Sequence, residues 1–169
     1  MSARTIWWVP RVLGWWDWWF CWQLACDPLV RTMSLDRRKP GLLRHLRWMA
    51  RWVHGALGGE RIAWVIEVPE FTGDDHGVPW HRAGLVRVNT VADRTLEFSI
   101  ALAAPYRGVG LGTDVIKVMT ATAACYWHRE VIAKVRPENT ASTEAFRHAG
   151  YRPIGLGRDR VTVLEWRES

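Results

Sequence analysis

The chain is poor in cysteine. Only three of its 169 residues are cysteines, Cys21, Cys26 and Cys125, and no two of them form a CxxC pair. An odd number of scattered cysteines supports neither a disulfide framework nor a zinc site, and it favours a reducing compartment. We therefore expect a cytoplasmic protein whose three thiols are buried and unreactive.

A long apolar run is missing from the N-terminal region. Residues 1–26 are rich in tryptophan, but Pro10, Arg11 and Asp17 interrupt them, and their longest uncharged run is Trp18 to Cys26. A membrane-spanning helix needs about 20 largely apolar residues, and a secretory leader needs an early basic region and a small-residue cleavage site. Neither pattern is present, so we expect no membrane partner.

Negative charge is also scarce. Asp and Glu number 17 against 23 Lys and Arg, which gives a formal net charge of +6 and a pI near 9.8. This balance favours an anionic partner, whether a nucleotide cofactor, a nucleotide-linked substrate or nucleic acid, although a solvated basic surface explains it equally well. No repeat or Gly/Ser linker divides the sequence, which predicts one domain over residues 1–169.

Hydrophobic periodicity changes near residue 60. Helical spacing predicts helices over 13–26 and 39–56, and we expect the first helix to pack in the core. The apolar face predicted for that helix carries Trp15, Trp18, Trp19, Trp22 and Cys26. Tryptophans in excess of the core would form a wall of an acceptor site or a dimer contact. The later strands are predicted at 61–68, 83–91, 95–103, 130–135, 151–155 and 160–166, with helices at 112–127 and 139–150. This order predicts a mixed α/β fold.

The most informative segment is YRGVGLGTDVIK, residues 106–117. Glycine occupies every second position from 108 to 112, between a predicted strand and a predicted helix. The N-terminus of a helix binds anions, and glycine lets the backbone approach a phosphate closely. A dinucleotide fold would need GxGxxG early in a βαβ unit, and a P-loop would need GK[ST]; the segment has neither. A glycine-rich turn without a ligand stays open.

Two motifs resemble those of the GCN5-related N-acetyltransferases. RGVGLG matches that family's coenzyme A signature, [QR]xxGx[GA], at Arg107, Gly110 and Gly112. The segment VRPENTASTEAFRHAGYRPIG is similar to the family's later motif, with Asn139, Ser142 and a Gly-Tyr pair at 150–151. The two motifs and the elements around them cover roughly residues 83–166.

The resemblance implies a central mixed, mostly antiparallel sheet flanked by about four helices. Residues 1–60 would form a helical acceptor-side region, and residues 61–169 would form the sheet and the core that binds acetyl-CoA. The strand before the glycines would open away from its neighbour and pair with the pantetheine arm, while the loop takes the pyrophosphate. The implied cofactor-binding residues are Ile100, Leu102, Ala104, Arg107, Gly108, Val109, Gly110, Leu111, Gly112, Thr113, Asn139, Ser142 and Phe146.

Attack of an amine on a thioester needs a neutral amine, a stabilised oxyanion and a proton for the departing thiolate. The resemblance assigns the base to Glu97 and places Asn139 and Ser142 near the reacting centre. A structural role for Glu97, facing solvent or pairing with Arg87, stays open. Many relatives have a tyrosine acid where this chain has Phe146. The group that protonates the thiolate is therefore not assigned, and the candidates are Tyr106, Tyr126, Tyr151, His148 and solvent.

The segments CDPLVRTMS and RHLRWM resemble a branch that acetylates nucleotide-linked amino sugars, ribosomal proteins or antibiotics. We predict a small amine acceptor, such as a nucleotide-linked amino sugar, and a monomer or homodimer. A macromolecular amine, on a modified nucleic-acid base or at a protein N-terminus or lysine, stays open, and so does a non-catalytic coenzyme A-binding module. The predicted acceptor-binding residues are Arg31, His45, Trp64 and His81. The loop of residues 71–82, with Asp74, Asp75 and His76, is expected to be polar and to hold no metal.

Overall fold

A computed structural model describes residues 6–38, 40–55, 61–70 and 79–167 of the chain. Short 3-10 turns occur at Trp15–Asp17 and Ala104–Tyr106. The helices and strands, in chain order, are β1 (Val9–Val12), α1 (Trp18–Cys26), α2 (Pro28–Met33), α3 (Leu42–Gly55), β2 (Arg61–Pro69), β3 (Trp80–Ala92), β4 (Thr95–Leu102), α4 (Leu111–Trp127), β5 (Glu130–Val135), α5 (Thr140–His148), β6 (Tyr151–Leu156) and β7 (Thr162–Trp166).

The seven strands form one sheet in the order β1-β2-β3-β4-β5-β7-β6. Every neighbouring pair is antiparallel except β4 and β5, which run parallel. The prediction of a mixed, mostly antiparallel sheet is therefore confirmed. The described ranges contain five helices, and α2 is the one that the sequence pattern did not predict.

Helices cover both faces of the sheet. Alternate residues of β3 and β4, such as Val88 and Phe98, pack with α4 and α5 into the larger core. The opposite face, which includes Val65 of β2 and Leu85 of β3, packs against α1 and α3. This alternation follows from the two-residue period of a strand. The centre of the sheet is therefore enclosed from both sides.

The predicted buried face of α1 is wrong. Trp15, Trp18, Trp19 and Cys26 are exposed and Trp22 is half-buried, whereas Cys21 and Leu24 are buried against the sheet. The helix itself begins only at Trp18, after a 3-10 turn, and not at residue 13. Because eight of the nine residues of α1 are apolar, with Gln23 the exception, helical periodicity does not identify the side that faces the sheet.

Two elements at the N-terminal end were not predicted. Pro28 begins α2 instead of only ending α1, because proline suits the first helical position and Asp27 caps it by accepting from the Val30 N–H (2.9 Å). The strand β1 pairs with β2 at the edge of the sheet, where Pro10 is tolerated. The acceptor-side region is therefore not purely helical.

The three cysteines differ in their surroundings. Cys21 is buried, and burial raises the pKa of its thiol to about 12, which makes it unreactive. Cys26 and Cys125 are exposed, so the expectation that all three thiols are buried is wrong for two of them. Among the described helices, none is long and apolar enough to cross a bilayer.

The remaining boundaries shift by a few residues. α3 begins at Leu42 and not at residue 39, and β3 begins at Trp80, inside the predicted loop 71–82. Asp74, Asp75 and His76 lie outside the described residues. Within the described ranges, no three His, Cys, Asp or Glu side chains are grouped as metal ligands.

Candidate active site

The strands β4 and β5 diverge at the centre of the sheet. Both are described throughout, and they pair only where Thr95–Glu97 lies beside residues 130–132. β4 then continues to Leu102 and β5 to Val135, while β5 keeps its other partner, β7. A wedge-shaped opening, which we call the notch, therefore lies between residues 98–102 and 133–135. The resemblance predicts such an opening before the glycine segment.

Backbone groups of β4 face the notch. The Ala103 N–H donates to the Ala83 oxygen (2.8 Å), on the side of β3. Because N–H groups alternate in direction along a strand, those of Ile100 and Leu102 point the opposite way, into the notch. These are two of the residues assigned to the pantetheine arm, and the opening leaves their N–H groups accessible to a ligand.

The glycine segment follows as a loop that leads into α4. Gly108 and Gly110 adopt left-handed conformations, with φ of 73° and 90°, and Gly110 is the N-cap of α4. A Cβ atom at either position would meet nothing within 4 Å, so open space lies beside the loop. The backbone N–H groups of residues 108–112 donate to no acceptor among the described residues, whereas the Thr113 N–H donates to the Gly110 oxygen (3.0 Å).

Several unpaired N–H groups, open space and the positive end of the 17-residue helix α4 therefore coincide at this loop. We call residues 107–112 the cradle. Its geometry fits a pyrophosphate, whose oxygens accept hydrogen bonds from converging backbone donors.

Arg107 is engaged within the protein. Its Nε donates to the Leu102 oxygen (2.9 Å), and its Nη2 lies 2.9 Å from the Asp27 carboxylate at the start of α2. Burial acts to raise the pKa of Asp27, but the hydrogen bonds from Val30 and Arg107 and the guanidinium charge together hold it below its usual value. Arg107 thus joins the cradle to α2, which its place in the motif does not reveal.

The other end of α2 is joined to β5. Arg136, the residue after β5, donates from Nε to the Ser34 oxygen (2.7 Å) and from Nη2 to the Leu35 oxygen (3.0 Å). Since Arg107 follows β4 and Arg136 follows β5, α2 spans the carboxyl end of the notch. Arg31 of α2 supports the connecting loop by donating to the Asp36 oxygen (2.9 Å), and its buried Nε has no partner among the described residues.

A shallow surface cavity of about 610 Å³ lies at the β5 end of α2. Three arginines and one aspartate line it, so its charge is strongly positive. The lining residues are Leu35, Asp36, Arg37, Arg38 and Arg136. Because Arg136 borders both the cavity and the end of β5, the cavity adjoins the notch.

Helix α5 begins beside the same end of β5. Asn139 caps it by accepting from the Ser142 N–H (3.1 Å), and its own N–H donates to the Arg136 oxygen (3.0 Å). Ser142 is half-buried in the first turn. Phe146 is buried, with its ring edge-on to those of Phe98 and Tyr151. The predicted N-cap is present, and Phe146 is part of the larger core.

Glu97 lies at the last paired position of β4, where the notch begins. Its carboxylate is mostly buried and accepts from Lys134 Nζ of β5 (2.5 Å). Arg87, the alternative partner considered for Glu97, instead donates to Ser99 Oγ (3.1 Å) and lies over the rings of Trp48 and Trp52. Burial lowers the pKa of Arg87. The partner of Glu97 is therefore Lys134, which sequence reasoning missed.

The four predicted acceptor-binding residues do not converge. His45 is buried, its Nε2 3.0 Å from the Trp18 oxygen, and Trp64 packs on the larger core from β2, two strands away from β4. His81 is exposed on β3 and bonds Glu70 (2.5 Å). Arg31 alone lies in α2, beside the notch. His45 lies four residues before buried Met49 and seven before buried Trp52, so it belongs to the face of α3 that packs on the sheet.

Among the candidate acids, two are placed away from the notch. The Tyr151 hydroxyl is buried and bonds Thr120 Oγ1 (2.8 Å), and burial raises its pKa well above the usual value. Tyr126 lies in the last turn of α4, at the far end of a helix about 25 Å long. Burial and the charge of Glu70 raise the pKa of Tyr106, and His148 is exposed at the end of α5.

A family model described as "Acetyltransferase (GNAT) domain" matches residues 17–152. The chain belongs to the GNAT acetyltransferase family. This match confirms the predicted family and the predicted class of enzyme, which is an N-acetyltransferase. It also confirms acetyl-CoA as the cofactor, because the family uses it. The match extends into the N-terminal region, where the motifs were weakest.

Solved structures share the GNAT fold at low sequence identity. A domain from Methanocaldococcus jannaschii superposes with a TM-score of 0.80 at 16% identity, over 95% of this chain and 98% of that one. Spermidine N-acetyltransferase from Vibrio cholerae, solved with CoA and spermine, gives 0.73 at 15%, over 94% and 92%. Mycobacterium smegmatis RimJ, solved with CoA-disulfide, gives 0.74 at 18%, over 94% and 80%. No curated protein matches the chain by sequence.

Proposed function

We propose that this GNAT enzyme transfers the acetyl group of acetyl-CoA to the primary amine of a small molecule that also carries a phosphate or carboxylate. A nucleotide-linked amino sugar has this chemistry. The observation that supports the proposal is the cavity beside the notch, which three arginines and a single aspartate line. A guanidinium group can donate two parallel hydrogen bonds to two oxygens of the same phosphate or carboxylate.

The charge of this cavity disfavours polyamines. Spermine is bound by the spermidine N-acetyltransferase of Vibrio cholerae, which shares the fold of this chain. Here a polycation would meet Arg37, Arg38 and Arg136, while one acidic residue, Asp36, lines the described part of the cavity. Arg37 also pairs with Glu138 (3.6 Å), but both side chains are exposed, so this pair is weak and easily exchanged for an anionic ligand.

The notch and the cradle supply the groups that acetyl transfer needs. Bound acetyl-CoA supplies the acetyl thioester, with its pyrophosphate on the free N–H groups of residues 108–112 and its pantetheine arm along β4. The N–H groups of Ile100 and Leu102 donate into the notch, where the developing oxyanion needs donors. Glu97, at the base of the notch, accepts the proton of the incoming amine through water.

Protonation of the thiolate needs no tyrosine in this arrangement. Asn139 and Ser142 form the first turn of α5, and this N-terminus lies at the end of β5, beside the notch. The positive end of a helix dipole stabilises a thiolate and lowers its pKa. Solvent then delivers the proton, which fits the burial of Phe146 at the usual tyrosine position.

An acceptor panel with thiol release as the readout tests the proposal. The panel contains a nucleotide-linked amino sugar, spermidine, an aminoglycoside and a peptide with a free N-terminus. We expect the phosphate-bearing amine to give the highest kcat/KM. Replacing Arg37 and Arg38 by Ala should raise its KM roughly tenfold or more with kcat little changed.

The matched control replaces Arg152 and Arg158, two exposed arginines in β6 and in the turn that follows it, outside the cavity, and should leave KM unchanged. Spermidine as the best acceptor, or equal KM effects in both double variants, would contradict the proposal. A macromolecular acceptor would show itself by turnover on the peptide, or on a nucleic acid with a steep dependence on salt.

A further inference from the structure

The outer surface of α1, of the 3-10 turn before it and of α3 exposes a band of tryptophan and leucine. Trp16 is 76% exposed, Leu43 72% and Trp19 53%. We call this surface the tryptophan band. Its members are Trp15, Trp16, Trp18, Trp19, Leu43 and Leu46. Exposed apolar patches of this kind mark surfaces that bind a protein or a membrane.

The band is one surface because α1 and α3 lie side by side. The Trp15 and His54 rings are 6.1 Å apart at one end, and the Trp22 and His45 rings are 5.2 Å apart at the other. These two contacts show that the helices run antiparallel. Residues that point away from the sheet on each helix therefore share one face.

The charged side chains on the helices beside the band are all positive. Helices α1, α2 and α3 contain no aspartate or glutamate, and α3 carries exposed Arg44, Arg47 and Arg51. Among the described carboxylates that adjoin these elements, Asp17 is buried, and Asp36 pairs with Arg44 (3.8 Å). An apolar band bordered by the arginines of α3 is complementary to a surface that is apolar inside and negatively charged outside.

We propose that the tryptophan band binds the surface of a membrane that contains anionic lipids. Tryptophan is favoured at the boundary between headgroups and acyl chains, and leucine inserts just below it. Arginine binds lipid phosphates, and each basic residue near an anionic surface strengthens attachment. The protein attaches from one side and does not span the bilayer. This departs from the sequence-based expectation of no membrane partner, which rested on the lack of a spanning segment.

Two other occupants fit the surface less well. A second copy would meet the band through two-fold symmetry, which places the same patch of both copies in contact. The helices α1 and α3 would then bring arginines from both copies to one interface and contribute no carboxylate of their own to neutralise them. A single-stranded nucleic acid would stack on the tryptophans, but Leu43 and Leu46 offer bases no stacking partner.

Co-sedimentation with vesicles tests the proposal. The intact protein is mixed with vesicles of POPC alone or of POPC and POPG in a 7:3 ratio, at low and high salt. We expect binding to the anionic vesicles that weakens with salt. The Arg47→Glu, Arg51→Glu double variant should bind roughly 20-fold more weakly or worse. The Trp16→Ala, Trp19→Ala variant should lose roughly tenfold or more.

The charge control is the Arg152→Glu, Arg158→Glu double variant, whose two positions lie in β6 and in the turn that follows it. This variant should bind vesicles as the parent does. Thermal stabilisation by acetyl-CoA, retained in all variants, shows that each one is folded. No binding to anionic vesicles would overturn the proposal. Equal losses of vesicle binding in the two charge variants would also overturn it. The same holds if the protein binds no vesicles and instead forms a dimer that the tryptophan changes abolish, or binds a labelled dT20 strand tightly.

Discussion

Replacing Gly110 by alanine tests both the backbone geometry of the cradle and its role. Gly110 has φ of 90°, and a Cβ there would meet no atom within 4 Å, so a steric clash contributes nothing to the cost. The left-handed backbone alone costs an L-residue about 1–2 kcal/mol. Alanine also stabilises the folded state by reducing the entropy of the unfolded chain, by about 0.4–1 kcal/mol.

Gly155→Ala is the matched control, because a Cβ there also meets open space and φ is not positive. The entropy gain is common to both variants and cancels between them. The two should therefore differ by the backbone cost alone, about 1–2 kcal/mol, or roughly 2–8 °C in Tm for a chain of this length. Thermal unfolding without ligand measures this difference.

The second readout is stabilisation by acetyl-CoA. At a concentration 100 times the parent's Kd, the ligand should stabilise the parent by about 2.7 kcal/mol. A methyl group at Gly110 projects into the space beside the unpaired N–H groups, and a tenfold weaker Kd would reduce this stabilisation to about 1.4 kcal/mol. Equal Tm values for the two variants would refute the left-handed geometry. A full acetyl-CoA shift in Gly110→Ala would refute the cradle as the pyrophosphate site.

Three further outcomes are expected. Glu97→Gln should lower kcat at least roughly 100-fold with acetyl-CoA affinity little changed, whereas Lys134→Gln should keep most of the activity; equal losses would mean that the ion pair, not the base, matters. Asp17→Ala should lower the free energy of unfolding by about 2–3 kcal/mol in a denaturant titration. The reason is that Arg11 and Arg82 both bind this buried carboxylate, although the two arginines are themselves partly hydrated. A loss under about 0.5 kcal/mol would contradict this account. Burial acts to raise the pKa of Asp17, but Arg11, Gly14 and Arg82 hold this pKa below its usual value, as the pKa of Asp27 also is. The ionised carboxylates therefore stabilise the folded state above roughly pH 4, and this contribution should be lost as pH falls through the lowered pKa values. A stability that rises on acidification would contradict this prediction.

The sheet core could be predicted because its signals are local. The segment EVIAKV predicted the bounds of β5, Glu130–Val135, without error. The alternating glycines predicted a turn, and Gly108 and Gly110 do adopt positive φ. Asn139 at the start of a helical period predicted the cap of α5. In each case the residues that form the feature are near neighbours in the chain.

The N-terminal region could not be predicted in the same way, because its structure depends on distant partners. Arg11 interrupts an apolar run and reads as a break, yet it lies in β1 and binds both Asp17 and Glu67. Its carboxylate partner Asp17 is fully buried, which a lone charge among tryptophans does not suggest. Only the tertiary arrangement makes this charge tolerable.

The same distinction separates the donor side of the site from the acceptor side. The cradle and α4 are continuous in sequence, whereas α2, which we propose borders the acceptor site, is held by Arg107 on Asp27 and by Arg136 on residues about 100 positions earlier. Arg107 belongs to the cofactor motif and Arg136 follows a strand that borders the notch. One end of α2 is therefore held by the cradle through Arg107, and the other end is held by Arg136, independently of the cradle. Substituting Arg136 should consequently raise KM for the acceptor more than KM for acetyl-CoA, since the cradle does not depend on its contacts.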